Sequence, residues 1–97
     1  MKRARTRSES GHIATIKAMD CVLCSLLGMT QESVTDAHHP RIGQGGAQRA
    51  SDWLAIPLCH EGCHQGRDGI HGTRNLLRIA KVEEIDLIAE TFRRVLS

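Results

Sequence analysis

Residues 59–72 read CHEGCHQGRDGIHG, and five of these fourteen residues are of types that bind metals. They are Cys59, His60, Cys63, His64 and His71. Cysteine and histidine at this density indicate metal binding. The stretch itself leaves open whether one ion or two are bound, and whether the metal stabilises the fold or takes part in chemistry.

The whole chain has 97 residues, which predicts a single domain. A domain of this size is only marginally stable by packing alone. Its aromatic content is also low, with one Trp, one Phe and no Tyr, so the core lacks the side chains that bury the most area. We therefore expect a further source of stability, and the four cysteines are the candidates.

The cysteines form a CxxC pair, Cys21 and Cys24, and a CxxxC pair, Cys59 and Cys63. Four cysteines are compatible with two disulfides or with one zinc site. The N-terminus lacks the apolar run of a signal peptide and no segment is predicted to span a membrane, so we expect a cytoplasmic chain, in which disulfides are disfavoured. The paired spacing predicts structural Zn²⁺ in a closed four-cysteine shell, with His60 as an alternative to one cysteine.

The N-terminal part is predicted to lead into a hairpin. Residues 1–11 are expected to form a disordered basic arm, and residues 12–18 a short strand or extended segment. Strands are predicted at 34–42 and 53–58, with Trp53 in the core. The glycine-rich segment 43–51 joins them as a flexible loop.

The C-terminal part is predicted to be helical. A helix is expected around His64, and an amphipathic helix over residues 74–97. The buried face of the amphipathic helix is predicted to comprise Val82, Ile85, Ile88, Ala89, Phe92, Val95 and Leu96. We interpret this helix as a cover for the small core, with a partner-binding helix as the alternative. The fold class is therefore α+β.

Four histidines beside the hairpin remain once the cysteines are assigned. Their context is DAHHPR (36–41), SDWLAIPLC (51–59), CH (63–64) and IHG (70–72). This order resembles the HNH endonuclease family, which has the ββα-metal fold, and within it small phage and prophage proteins of the recombination-nuclease type. The resemblance covers about residues 20–72 and implies that residues 12–97 form a single HNH nuclease domain.

The resemblance also implies a role for each residue of a catalytic centre. His38, His64 and His71 are implied to hold a catalytic divalent ion, which is Mg²⁺, Mn²⁺, Ni²⁺ or Zn²⁺. His39 is implied to be the general base. Asp52 stands where the family usually has Asn, and is implied to orient that base.

One departure from the family pattern and one alternative assignment remain within this resemblance. The interval from His64 to His71 contains Gly66 and Gly69, so one uninterrupted helix cannot present both histidines on the same face. His71 is therefore the less secure ligand. An alternative assignment makes His38 the base.

The implied function is metal-dependent hydrolysis of DNA phosphodiester bonds in the cytoplasm of a bacterial host. The net charge is only +2, but Arg41, Arg49 and Arg67 flank the predicted centre and are expected to contact phosphates. A recombination protein and a second copy of the chain are possible partners. The main alternative is a non-catalytic zinc-binding module that binds nucleic acid or protein; a redox role for the CxxC pair is disfavoured because no βαβ pattern surrounds it.

Overall fold

The computed structural model describes residues 4–41 and 50–97, which form an α+β arrangement. In chain order the helices and strands are α1 (Arg7–Lys17), α2 (Val22–Leu27), β1 (Thr35–His38), β2 (Ile56–Cys59), α3 (Asn75–Ala80) and α4 (Glu84–Val95). A 3₁₀ turn, Asp52–Leu54, precedes β2, and a π-helical turn, His60–His64, follows it. The predicted class, α+β with a hairpin and C-terminal helical structure, is confirmed at this level.

Helix α1 begins at a reciprocal cap between Thr6 and Glu9. The Thr6 hydroxyl accepts a hydrogen bond from the Glu9 N–H at 3.1 Å, and the Glu9 carboxylate accepts one from the Thr6 N–H at 2.8 Å. Ile13 and Ile16, three residues apart, are buried on the inner face of the helix. The disordered arm predicted for residues 1–11 is therefore wrong from Arg7 onward. The extended segment predicted for residues 12–18 is wrong as far as Lys17.

The segment Arg7–Leu27, which spans α1 and α2, is long and apolar enough to be a weak candidate for a membrane span. The two helices are separated at residues 18–21. Ile16, Val22 and Leu23 are fully buried within the folded domain. A third of the most apolar window of this segment is thus buried inside the domain.

The hairpin of β1 and β2 is antiparallel, with Asp36 opposite Leu58 and His38 opposite Ile56. Because side chains alternate along a strand, these four lie on one face of the sheet. Ile56 and Leu58 belong to the larger core cluster, so Asp36 and His38 face the same side as that core. Ala37 lies on the opposite face and packs with the cluster around α1.

The second strand starts at Ile56, later than predicted, because Trp53 lies in the 3₁₀ turn. The Ser51 hydroxyl caps this turn by accepting the Trp53 N–H at 3.2 Å. Trp53 is 45% exposed and its ring lies 4.9 Å from that of His12, so the prediction that it is a core residue is wrong. Most of the predicted loop at 43–51 lies outside the described residues.

The C-terminal helical region is two helices, because Lys81 adopts a left-handed conformation, with φ of 59°, and ends α3. The face that α4 buries also differs from the predicted apolar face. On α4 the buried residues are Glu84, Leu87, Ile88 and Thr91. Ile85, Phe92 and Leu96 of the predicted face are exposed.

The larger core cluster includes the cysteines themselves. Its buried members are Cys21, Val22, Leu23, Cys24, Ile56, Leu58, Cys59, Cys63, Ile70, Leu77, Leu87 and Ile88. Helices α2 and α4 both contact β2, so this cluster lies between the hairpin and the helices. A metal site built on the cysteines would therefore lie within the core.

Candidate metal centres

The four cysteines converge on one point. Their sulfur atoms all lie within 4.8 Å of one another, and all four side chains are buried. Cys24 Sγ is 3.7 Å from both Cys59 Sγ and Cys63 Sγ, and none of the four forms a disulfide. A tetrahedral zinc ion with bonds of about 2.3 Å to sulfur has neighbouring sulfurs about 3.8 Å apart. The cluster therefore has the dimensions of a closed four-sulfur metal site, as predicted.

Each cysteine pair forms a turn in which the first sulfur accepts a backbone N–H from the second cysteine. The distances are 3.4 Å from Cys24 N to Cys21 Sγ and 3.3 Å from Cys63 N to Cys59 Sγ. The second pair has one more intervening residue, and the wider π-helical turn His60–His64 accommodates it. His60 contacts Asp36 instead of entering the cluster, which argues against its alternative role as a ligand.

The crowding of four thiols also favours a cation between them. A hydrogen bond with Cys63 is the main cause that lowers the pKa of Cys21, to about 5. Burial is the main cause that raises the pKa of Cys24, to about 12. The protein alone thus favours one thiolate and opposes others nearby. A divalent cation supplies the charge that allows all four to ionise.

A second cluster consists of His38, His64 and His71, each offering a ring nitrogen within 4.8 Å of the others. The ring centroids are 5.1 Å apart for His38–His64 and His38–His71, and 4.8 Å apart for His64–His71. His38 is buried, His64 is intermediate and His71 is exposed, so the cluster runs from the core to the surface. Three ligands with one at the surface leave coordination positions for a water or a substrate.

Two imidazoles of this cluster, those of His38 and His71, favour the neutral form that binds metals. Burial is the main cause that lowers the pKa of His38, to about 4, although Glu84 opposes the shift. His71 is exposed as a residue, but the partial burial of its ring likewise lowers its pKa. A neutral imidazole retains a nitrogen lone pair, so the donor set suits a transition-metal dication better than it suits Mg²⁺.

The loop after the π-helical turn brings His71 back to His64 despite the glycines between them. His71 N donates to the His64 carbonyl at 3.1 Å, and Ile70 N donates to the Cys63 carbonyl at 2.8 Å. A Cβ at Gly69 would lie 2.6 Å from that same Cys63 oxygen. The glycine that rules out a continuous helix therefore permits the tight turn that closes the cluster.

Two carboxylates that the sequence analysis did not assign contact these histidines. Asp36 Oδ2 lies 2.7 Å from His64 Nδ1 and 2.6 Å from His60 Nδ1. Glu84 Oε2 lies 2.8 Å from His38 Nε2, and both of those side chains are buried. Asp36 had a usable signal, because a residue two positions before His38 on a strand shares its face.

His39 and Asp52, which lie 13 residues apart in the chain, are in direct contact. His39 Nε2 lies 2.7 Å from Asp52 Oδ1. Arg5 binds the same carboxylate through two nitrogens, with Nε at 2.7 Å from Oδ2 and the terminal nitrogen at 3.1 Å from Oδ1. The hydrogen bonds from Arg5 are the main cause that lowers the pKa of Asp52. Burial opposes this shift, and the hydrogen bond with His39 adds to it. The carboxylate is therefore ionised and can only accept the His39 N–H.

The structure describes two of the three arginines that were predicted to contact phosphates. Arg41 and Arg67 are exposed, and Arg41 is close enough to His71 to contribute to the lowering of its pKa. Arg49 lies outside the described residues. A positively charged group beside the exposed member of the histidine cluster suits an anionic ligand.

No protein-family model, curated protein or solved structure matches this chain. The relation to the HNH family and its ββα-metal fold therefore stays a prediction that rests on motif order. The geometry adds three described arrangements: a buried cluster of four sulfurs, a cluster of three imidazoles and the His39–Asp52 pair.

Proposed function

We propose that this protein is a metal-dependent endonuclease that hydrolyses DNA phosphodiester bonds. The observation that carries the proposal is that the cysteines and the histidines form two separate clusters, one enclosed and one reaching the surface. The enclosed cluster suits a structural zinc ion, which leaves the imidazoles for a cation that meets substrate. His39, which is hydrogen-bonded to the Asp52 carboxylate, directly follows His38 in the chain.

His39 is the general base of the proposed reaction. Its Nε2–H is held by Asp52, so Nδ1 carries the free lone pair that takes a proton from water. The water oxygen forms a bond to phosphorus while the bond from phosphorus to the 3′-oxygen breaks, and a solvent water protonates the departing 3′-oxygen. Asp52 stabilises the imidazolium that results, since its own negative charge is maintained by Arg5.

His38 is better suited to hold a cation than to act as the base. Its side chain is 2% exposed and its Nε2 is bonded to Glu84, whereas the His39 side chain is 14% exposed. A base must reach both water and substrate. His64 has its Nδ1 on Asp36, which leaves Nε2 for the cation. A divalent cation bound there supplies charge stabilisation for the phosphate and the leaving oxygen.

Purified zinc-loaded protein should nick supercoiled plasmid DNA when Mg²⁺, Mn²⁺, Ni²⁺ or additional Zn²⁺ is supplied. His39→Ala should reduce the nicking rate by about 10²- to 10⁴-fold, the usual contribution of a general base. His60→Ala is the matched control, since His60 is half-exposed and its removal leaves the bond between Asp36 and His64. The control should cleave at a rate close to that of the wild-type protein.

The two negative outcomes have different meanings. Full activity of His39→Ala would remove His39 from the role of base while leaving the endonuclease proposal intact. Wild-type protein that binds DNA but does not cleave it with any of the four ions would instead favour a non-catalytic zinc module. Zinc content and far-UV circular dichroism of each variant show whether the fold is retained.

A further inference from the structure

The buried stripe of helix α4 begins with a charged residue. Glu84, Leu87, Ile88 and Thr91 follow the spacing i, i+3, i+4 and i+7 that places side chains on one helix face. Glu84 is only 5% exposed, in a position where an aliphatic side chain would be expected. A buried carboxylate is destabilising unless it is paired and hydrogen-bonded. Its presence therefore requires an explanation from its surroundings.

The surroundings of Glu84 are the histidine cluster. Glu84 Oε2 lies 2.8 Å from Nε2 of His38, a side chain that is 2% exposed. The other oxygen, Oε1, has Arg74 at 3.7 Å, which is a long contact to a side chain that is 43% exposed. The described cationic contact is thus weak compensation for a buried negative charge, and a dication among the imidazoles would complete it.

The bond to Glu84 also determines which nitrogen of His38 is free. A carboxylate accepts, so His38 donates from Nε2 and its lone pair is on Nδ1. Carboxylates that hold the second nitrogen of a metal-bound histidine fix its tautomer and its ring orientation. Asp36 makes the equivalent contact with His64. Two of the three histidines in the cluster are therefore oriented by carboxylates, one from β1 and one from α4.

We propose that Glu84 is a positioning residue of the histidine cluster: it accepts the Nε2–H of His38, leaves Nδ1 for a divalent cation and so makes helix α4 part of the metal centre. The inference rests on the proposed function for the presence of a cation at this centre. It goes beyond that proposal because α4 lies outside the segment that carries the family resemblance, residues 20–72. The C-terminal helix then both covers the core and supplies charge to the site.

The test is a titration of the protein, with zinc in its four-sulfur cluster, using Co²⁺ as the probe. Visible d–d absorption reports Co²⁺ among nitrogen and oxygen ligands, and sulfur-to-cobalt charge-transfer bands would reveal displacement of zinc from the cysteines. Glu84→Gln and Glu84→Ala should each weaken Co²⁺ binding by about 10- to 100-fold, as losses of a residue that orients a metal ligand do. Glu83→Gln, the same change at an exposed position one residue earlier, should leave the affinity unchanged.

A second readout identifies the nitrogen that binds the cation. In ¹⁵N-edited NMR of protein with a diamagnetic ion such as Cd²⁺ in this centre, His38 should keep its proton on Nε2 and bind through Nδ1. Wild-type affinity in both Glu84 variants, or binding through Nε2, would overturn the inference alone. Failure of the wild-type protein to take up Co²⁺ outside the cysteine cluster would overturn the metal centre of the proposed function as well. Glu84→Gln, which keeps the side-chain shape, covers the case in which Glu84→Ala does not fold.

Discussion

Arg5 links the segment before α1 to the proposed base. Its guanidinium makes a two-nitrogen contact with the Asp52 carboxylate, which in turn lies 2.7 Å from His39. Such a fork-shaped contact holds a carboxylate in one orientation as well as supplying charge. The Arg5 side chain is 35% exposed, so the pair contributes little to global stability. Its value is expected to lie in aligning His39.

Arg5→Ala should therefore slow DNA nicking more than it destabilises the domain. We expect a loss of about tenfold in rate, the lower end of what supporting residues of a metal or catalytic centre contribute. Arg7→Ala removes a neighbouring exposed arginine and is the matched control for lost positive charge. Single-turnover rates and DNA affinities separate the two effects. Equal slowing by both variants would mean that Arg5 acts only through the general attraction of DNA.

The residues that the sequence analysis missed are those whose partners are distant in sequence. The separations are 47 residues between Arg5 and Asp52, and 46 between His38 and Glu84. Metal-binding residue types and short spacings identify a cluster such as Cys21–Cys24 directly. Glu84, unlike Asp36, has no local signature of its contact with a histidine, because aspartate and glutamate are common on any exposed surface.

At the scale of elements, the loop from Gln65 to Arg74 is the part of the fold that closes the histidine cluster. It is a series of tight turns, in which Gly69 N donates to the Gly66 carbonyl at 3.1 Å and Gly72 N to the Gly69 carbonyl at 3.0 Å. A Cβ at Gly69 would approach backbone oxygens of Gly62 and Cys63 at 2.6 Å. These backbone oxygens cannot rotate away from an added methyl group as the end of a flexible side chain can.

Gly69→Ala should therefore destabilise the domain by about 1 to 3 kcal/mol, the range for overpacking a tight site. It should also weaken Co²⁺ binding at the histidine cluster, since the turn positions His71. Gly11→Ala is the contrasting control: a Cβ there has no neighbour within 4 Å, and the position is inside α1. It should stabilise by about 0.5 to 1 kcal/mol. Chemical denaturation measures both; a neutral Gly69→Ala would contradict the described turn.

Helices α1 and α4 show why element prediction succeeded only in part. The cap of α1, Thr6 with Glu9, is a recognisable sequence signal, and Ile13 and Ile16 have helical spacing. The charged residues 1–11 nevertheless suggested disorder, and residues 12–18 suggested an extended segment. A helix was predicted correctly at α4, but the face that it buries was not. The apolar residues alone gave a face that includes Phe92. The buried face instead includes Glu84, because tertiary contact with a histidine overrides side-chain polarity.

For the whole molecule, the sulfur cluster and the core are the same structure. The four cysteines pack with Leu23, Ile56, Leu58 and Leu87 in one buried cluster. Structural zinc in small domains contributes about 10 to 16 kcal/mol in apparent binding free energy. A whole domain is stable by only about 5 to 15 kcal/mol. The pattern of cysteine pairs was enough to predict this cluster because tetrahedral coordination by four sulfurs restricts how two turns can meet.

Loss of the sulfur-bound ion should therefore unfold the domain, whereas loss of an ion from the histidine cluster should not. Cys24→Ser should abolish stoichiometric zinc and most helical circular dichroism. His71→Ala, which alters the exposed end of the other cluster, should keep both. In the wild-type protein, increasing chelator should strip the ion of the histidine cluster before the helical signal falls, because an open site exchanges more readily than an enclosed one. A Cys24→Ser protein that folds without zinc would show that aliphatic packing alone stabilises the domain.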